Sequence, residues 1–222
     1  MEISTSIISC ESRRGGTERF LTLKITSGEH SEKRKLAVGA KMLAEAGITD
    51  TENLPLSITR EQFDTLEYMA ELWEAVKKGL DILSFADNTK SRLIKKLRER
   101  SFDKYIAEDA AEYLSRYGYI DETGMLERLV DRLANTKLYG RGRIKAEIIK
   151  KGISREVVDE NLEALLDEVD FEENLKKLLY KKCDIDSLSD RKYRESVYAA
   201  MYRYGYSVSQ TRDAIKIIEK EN

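Results

Sequence analysis

Six cations fall between residues 89 and 100, at Lys90, Arg92, Lys95, Lys96, Arg98 and Arg100, against one acid, Glu99. A second stretch, 137–151, holds Lys137, Arg141, Arg143, Lys145, Lys150 and Lys151 against Glu147. Each has a net charge of +5. Residues 154–173 carry nine acids against Arg155, a net of -8. Exposed ion pairs contribute only about 0–1 kcal/mol each, so pairing alone does not demand such sorting. Cations presented at repeated spacing suit a polyanion or an acidic groove. Further on, Tyr193, Tyr198, Tyr202, Tyr204 and Tyr206 are interleaved with Arg191, Lys192, Arg194 and Arg203. Aromatic rings and guanidinium groups together stack on bases and form binding hot spots. The same rings can also fill a thin core and keep their hydroxyls at its rim. The candidate contacts are Arg92, Lys95, Lys96, Arg98, Arg141, Arg143, Lys145, Lys150, Lys151, Arg191, Arg194, Tyr202 and Arg203.

Catalysis needs a different constellation, and none is legible. His30 is the one histidine and sits in a predicted turn with no cysteine or acid cluster at ligand spacing. Cys10 and Cys183 lie too far apart in sequence for a metal-binding or redox motif. Gly140-Arg141-Gly142 lacks the Gly-Lys-Ser/Thr of a phosphate-cradling loop. Trp73 and the methionines fall on apolar helical faces and read as core. The expectation is a binding protein with no cofactor, no metal and no catalytic residue.

The composition fits that reading. Of 222 residues, 36% are charged, above the roughly 25% of an average chain, so much helical surface faces water and the core is thin. A single proline, Pro55, leaves helices uninterrupted. The overall net charge of -2 argues against a simple basic coat for DNA. No run of about 18 apolar residues reads as a membrane span. The N-terminus lacks the basic-then-apolar pattern of a secretory leader. A monomer in the cytoplasm is expected.

These residues need elements to position them. In 2–26, Ile3, Ile7 and Ile8 precede Arg13-Arg14-Gly15-Gly16, and Leu21, Leu23 and Ile25 follow at period two. That predicts a β-hairpin. A helix is predicted over 31–46, stopped by Gly47, and a linker over 47–58. Helical spacing begins at the capping box Thr59–Gln62. Helices are then predicted near 59–86, 89–100, 103–116, 122–138, 142–151, 155–168 (capped by Ser154), 171–182, 190–204 and 207–220. Gly118, Gly140, Gly152 and Gly205 stand at helix ends, and Ser207–Gln210 opens the last helix as another capping box.

The pattern recurs. A shift of 51 residues takes Leu97, Ser101 and Phe102 onto Ile148, Gly152 and Ile153. A further 53 takes them onto Met201, Gly205 and Tyr206. Each round ends a helix in a small residue, follows it with an apolar one, and starts a new cap. The expected fold is mainly α: three tandem three-helix, helix-turn-helix-like repeats in an elongated, curved row, behind a small β-hairpin and helix. The boundaries are 1–58, 59–118, 119–168 and 169–222.

Residues 79–167 carry a family resemblance. The relevant blocks are Leu80-Asp81-Ile82-Leu83-Ser84, Thr89-Lys90-Ser91-Arg92-Leu93, Lys96-Leu97 with Phe102, and Tyr117-Gly118-Tyr119-Ile120-Asp121-Glu122. The most specific is Gly142-Arg143-Ile144-Lys145-Ala146-Glu147-Ile148 with Lys151-Gly152-Ile153. The chain resembles the RecX family of RecA regulators. Two blocks depart from the family pattern. Asn88-Thr89-x-x-Arg92-Leu93 stands where Arg-Ser/Thr-x-x-Glu-Leu is common, and Glu122-Thr123-Gly124-Met125-Leu126 where Asp-Glu-x-Phe-Ala is usual.

The resemblance implies tandem three-helix repeats that lie in the groove of a RecA–single-stranded-DNA filament. It implies inhibition of strand exchange, ATP hydrolysis and the coprotease function that drives the SOS response, within homologous recombination and DNA repair. The partners would be the RecA filament and the single-stranded DNA inside it. The competing readings are a stand-alone helical DNA-binding protein and a helical scaffold for an acidic partner.

Overall fold

The computed structural model describes residues 3–48, 51 and 53–221. The chain divides into two compact units. One comprises Met1–Asn88 with Leu93–Tyr119, the other Thr89–Arg92 with Ile120–Asn222.

The first unit opens with β1 (Ile3–Arg13) and β2 (Glu18–Ser27), joined by a turn at Arg14–Gly16. The predicted hairpin is therefore present, but it is half of a four-stranded antiparallel sheet of order β3-β2-β1-β4. β3 (His30–Gly39) and the short α1 (Ala40–Glu45) replace the helix predicted over 31–46. The sequence Glu32-Lys33-Arg34-Lys35 favours helix when judged locally. Pairing with β2 overrides that preference. Gly28, with φ 61°, opens the two-residue turn that sets Ser27 opposite His30. Leu36 and Val38 then alternate inward, while the charged half of β3 stays exposed, as befits a sheet edge. β4 (Leu56–Ile58) also corrects the predicted 47–58 linker, since it pairs with Thr5–Ile7 of β1. Residues 49, 50 and 52 of that segment lie outside the described residues.

The long α2 (Arg60–Phe85) buries Phe63, Leu66, Trp73 and Val76. It packs against β3 and β1 of the sheet. Ile7, Leu21 and Leu23 are buried from the sheet's side. Each fully buried leucine stabilises by about 1.5–3 kcal/mol. The Thr59 capping box is formed: Gln62 N–H donates to Thr59 Oγ1 at 3.1 Å, and Thr59 N–H donates to Gln62 Oε1 at 2.9 Å. α3 (Lys90–Arg98) follows. α4 (Lys104–Arg116) packs on α2 through Ala107, Ala110, Ala111 and Leu114. Gly79 permits this approach, because a Cβ there would lie 2.5 Å from Leu114 Cδ1.

The second unit holds α5 (Glu122–Asp131), α6 (Arg141–Lys151), α7 (Arg155–Asp167), α8 (Phe171–Lys182), α9 (Arg191–Tyr204) and α10 (Val208–Glu221). The helix predicted over 122–138 stops being α-helical at Asp131 and widens into a π-helical turn, Arg132–Thr136. Ser154 stands before α7, but its side chain caps nothing. The backbone N–H of Ser154 itself is held by the carboxylate of Glu122, described below. The Ser207–Gln210 capping box is formed, at 3.1 and 2.8 Å. Leu126, Val130, Ile144, Ile148, Leu162 and Leu166 build one core, and Leu175, Leu179, Met201, Tyr206, Ile215 and Ile218 a second.

Ser101, Gly152 and Gly205, which the register shifts align, all adopt the left-handed conformation, with φ of 69°, 75° and 95°. Phe102 N–H bonds to the Leu97 carbonyl and Tyr206 N–H to the Met201 carbonyl, the same five-residue return in each case. These are the bonds that close a helix end when the chain turns left-handed.

Candidate functional site

Within the second unit, the start of α6 is pressed against the end of α9. Gly140 N–H donates to the Tyr204 carbonyl at 2.8 Å. A Cβ on Gly140 would lie 2.4 Å from the Gly205 carbonyl oxygen, so only glycine fits there. Arg143 reaches across the junction and donates to the Arg203 carbonyl. Its guanidinium lies 4.2 Å from the Tyr139 ring centre and 6.0 Å from that of Tyr204. The two rings meet edge to face at 5.8 Å.

This junction forms the floor of an open groove of about 600 Å3. Its walls carry Arg143, Lys150, Tyr202, Arg203 and Gln210. Tyr202 is 70% exposed, a large apolar ring presented to solvent beside cations. Lys150 is tied to Glu147 at 3.2 Å. Two predicted elements thus converge: the basic middle helix of one round and the tyrosine-rich helix of the next.

Other predicted residues have intrachain partners. Arg141 turns to α7, where it donates to the Leu166 carbonyl at 3.2 Å and pairs with Glu163 and Asp167. Lys145 pairs with Glu163 at 2.6 Å. Part of the charge sorting along the chain is therefore complementarity between α6 and α7. Arg194 Nε donates to the Leu188 carbonyl at 2.8 Å, and Arg194 pairs with Glu219 at 3.5 Å. Arg191 pairs with Glu195 one helical turn on, and Lys151 is half-buried. In the first unit, Lys96 Nζ donates to Asn88 Oδ1 at 2.7 Å. Lys95 stands 4.0 Å from Glu99, and Arg98 is exposed. Arg92, also exposed, is counted with the second unit.

Sequence reasoning missed Glu122. This buried carboxylate accepts Lys90 N–H on Oε1 at 2.7 Å and Ser154 N–H on Oε2 at 2.6 Å. Both donors lie at helix starts, where amides lack intrahelical partners and a negative charge is favoured. Ser91 Oγ adds a bond to the Gly152 carbonyl at 2.8 Å. Both of Glu122's partners are 32 residues away, so no local spacing could have revealed them. His30 is exposed at the start of β3. No helix among the described residues is long and apolar enough to cross a membrane.

The fold and this groove define a mainly helical chain, several of whose helices end in left-handed caps, with an antiparallel sheet in its N-terminal unit. Residues 121–162, which span α5, α6 and most of α7, match the family model of the RecX second three-helix domain. The chain is similar to the RecX regulatory proteins. It is 31% identical over 99 residues to "Regulatory protein RecX" of Clostridioides difficile, a match covering 45% of this chain and 46% of that protein's length. It is 25% identical over 169 residues to the protein of that name from Clostridium acetobutylicum, covering 71% and 77%. A solved structure, "Crystal structure of regulatory protein RecX", shares the fold with a TM-score of 0.68 at 22% identity, over 96% of this chain and 98% of that one.

Proposed function

We propose that this protein is a regulator of the RecX kind, one that binds RecA and the RecA–single-stranded-DNA filament. Bound there, it inhibits the recombinase, ATPase and coprotease activities in DNA repair and the SOS response. Its helices act as three successive three-helix units with boundaries near 59, 119 and 169, and the first contacts are electrostatic. The names of its relatives support the regulatory role. The observation that carries the contact surface is the groove where Arg143, Lys150, Arg203 and the exposed Tyr202 converge.

Arg92, Lys95, Lys96, Arg98, Lys151, Arg191 and Arg194 extend the same basic character. Arg141 and Lys145 serve first to hold α6 on α7, so they contribute to the surface through the helix they position. A phosphate partner would make affinity fall steeply with salt, because each contact releases counterions.

The deciding measurement is RecA ATPase on single-stranded DNA with this protein titrated in. Inhibition at near-stoichiometric ratios is the expected result. No change at those ratios would remove the proposal. Tight, sequence-preferring binding to duplex DNA without RecA would replace it with a stand-alone DNA-binding role.

A further inference from the structure

The first unit contains a second recess, independent of the groove above. It encloses about 370 Å3 between the β1–β2 turn, α1, α2 and the end of α4, within the range of small-ligand sites, about 300–1,000 Å3. Three cations reach it from three different elements: Arg14, Lys41 and Lys77. Tyr113, Tyr117, Tyr119 and the ring of Trp73 line it as well.

No carboxylate lines the recess, although the charge of Glu45, on α1 with Lys41, is felt at Tyr113. Glu18 is buried beneath it and accepts Trp73 Nε1 at 2.9 Å and Lys77 Nζ at 3.2 Å, with Arg14 Nε at 3.7 Å. Glu74 also pairs with Lys77. Lys77 is thus neutralised from below. Lys41 is exposed, and its ammonium lies 4.1 Å from the centre of the Tyr117 ring. Arg14 keeps most of its side chain in solvent.

The backbone holds Arg14 there at a cost. Arg14, Gly15 and Gly16 are three successive residues with positive φ, at 49°, 64° and 91°. For arginine that conformation is strained, and such strain persists where the surrounding structure imposes it. The turn needs glycine at its last two positions but not an arginine at its first.

We propose that this recess binds a nucleotide, with its phosphate between Arg14 and Lys41 and its base against Tyr119, since the Tyr117 ring is already covered by Tyr113 at 4.5 Å and by Lys41. Tyrosine faces accept any base by stacking, and paired cations select the phosphate beside it. Tyr119, 55% exposed, is the face open to an incoming ring. The source of the nucleotide is either a free mononucleotide or one residue of a single strand.

Trp73 is the sole tryptophan and borders the recess, so its fluorescence reports occupancy. The intact chain is titrated with a nucleoside 5′-monophosphate, the matching nucleoside, inorganic phosphate and a short single-stranded oligonucleotide. The expected result is a saturable change with the monophosphate or the oligonucleotide, and a much weaker one with nucleoside or phosphate alone. Response to the monophosphate identifies a free nucleotide as sufficient. Response to the oligonucleotide alone identifies a strand residue. Lys41→Ala and Tyr119→Ala remove exposed side chains, so folding is preserved and checked by thermal melting. Each should weaken binding by about tenfold. Equal response to inorganic phosphate and nucleotide, no response to either nucleotide form, or unchanged affinity in both variants overturns the proposal.

Discussion

Glu122 Oε2 accepts the backbone N–H of Ser154 at 2.6 Å, while Oε1 of the same carboxylate accepts Lys90 N–H at 2.7 Å. One buried side chain therefore satisfies a backbone N–H at two helix starts at once, while α3 keeps its own local cap, Thr89 Oγ1, which accepts Arg92 N–H at 3.3 Å. Glu122→Gln keeps the shape but offers one acceptor and turns an NH2 donor toward the other N–H. The variant should lose about 1–3 kcal/mol in urea unfolding. An unchanged midpoint and slope would show that the two bonds do not hold the segments together.

Gly140 tests the junction of α6 and α9. The missing Cβ has backbone, not a movable side chain, in its way, at 2.4 Å. Gly140→Ala should cost about 1–3 kcal/mol through forced backbone displacement. Gly142→Ala is the control, because its Cβ would meet the same carbonyl at an ordinary 3.7 Å. Alanine also favours helix over glycine by about 0.8–1.0 kcal/mol, so this variant should be neutral or more stable. Equal effects of the two substitutions would contradict the close approach.

The helices that surround these contacts were legible because periodicity, caps and terminal glycines agree locally. Both capping boxes form as the Thr59–Gln62 and Ser207–Gln210 spacings predict. The left-handed Ser101 was legible only by register with Gly152 and Gly205. β3 was not legible, since Glu32-Lys33-Arg34-Lys35 is good helix sequence and its strand state depends on β2. The π-helical turn at Arg132–Thr136 carries no proline or glycine to mark it. The candidate site was half legible. Residue type and charge placed Arg143, Tyr202 and Arg203 among the candidate contacts, but only the fold separates them from Arg141 and Lys145, which are engaged by α7.

Glu18 predicts a pH dependence. Its burial alone would raise the carboxyl pKa, but hydrogen bonds from Trp73 and Lys77 and the charges of Lys77 and Arg14 outweigh that and hold it below the usual 4.5. A depressed folded-state pKa gives stability that is fully present above the unfolded value and is lost as pH falls through the folded one. The wild type should thus be more stable than Glu18→Gln at neutral pH, and the gap should narrow as pH drops below about 4.5. Denaturant midpoints measured for both across that range check it. A gap independent of pH would mean the carboxylate's charge contributes nothing.

Tyr206 is 1% exposed, and among the described residues its hydroxyl has no hydrogen-bond partner. Burial raises its pKa, so the group stays neutral. An unpaired buried hydroxyl carries a desolvation penalty of about 1–3 kcal/mol. Tyr206→Phe should therefore be neutral or stabilising by up to about 1 kcal/mol, whereas Tyr206→Ala empties a core position and costs about 3–5 kcal/mol. A destabilised phenylalanine variant, measured by thermal unfolding, would reveal a partner for the hydroxyl.

Charge reversal separates the cations that hold the fold from those that face a partner. Arg141 contacts Glu163, Asp167 and the Leu166 carbonyl, so Arg141→Glu places a third carboxylate among two and should destabilise by about 1–2 kcal/mol. Arg203 is exposed, and the contact it makes to Arg143 runs through its carbonyl, which substitution leaves in place. Lys150 is exposed, and its pair, Glu147, lies one helical turn back along its own helix. Lys150→Glu and Arg203→Glu should therefore leave unfolding within about 0.5 kcal/mol of wild type and weaken inhibition of RecA ATPase, more so together than singly. If the double variant inhibits as well as the wild type while Arg141→Glu does not, the effect of Arg141 is structural and the partner lies elsewhere than the α6–α9 groove.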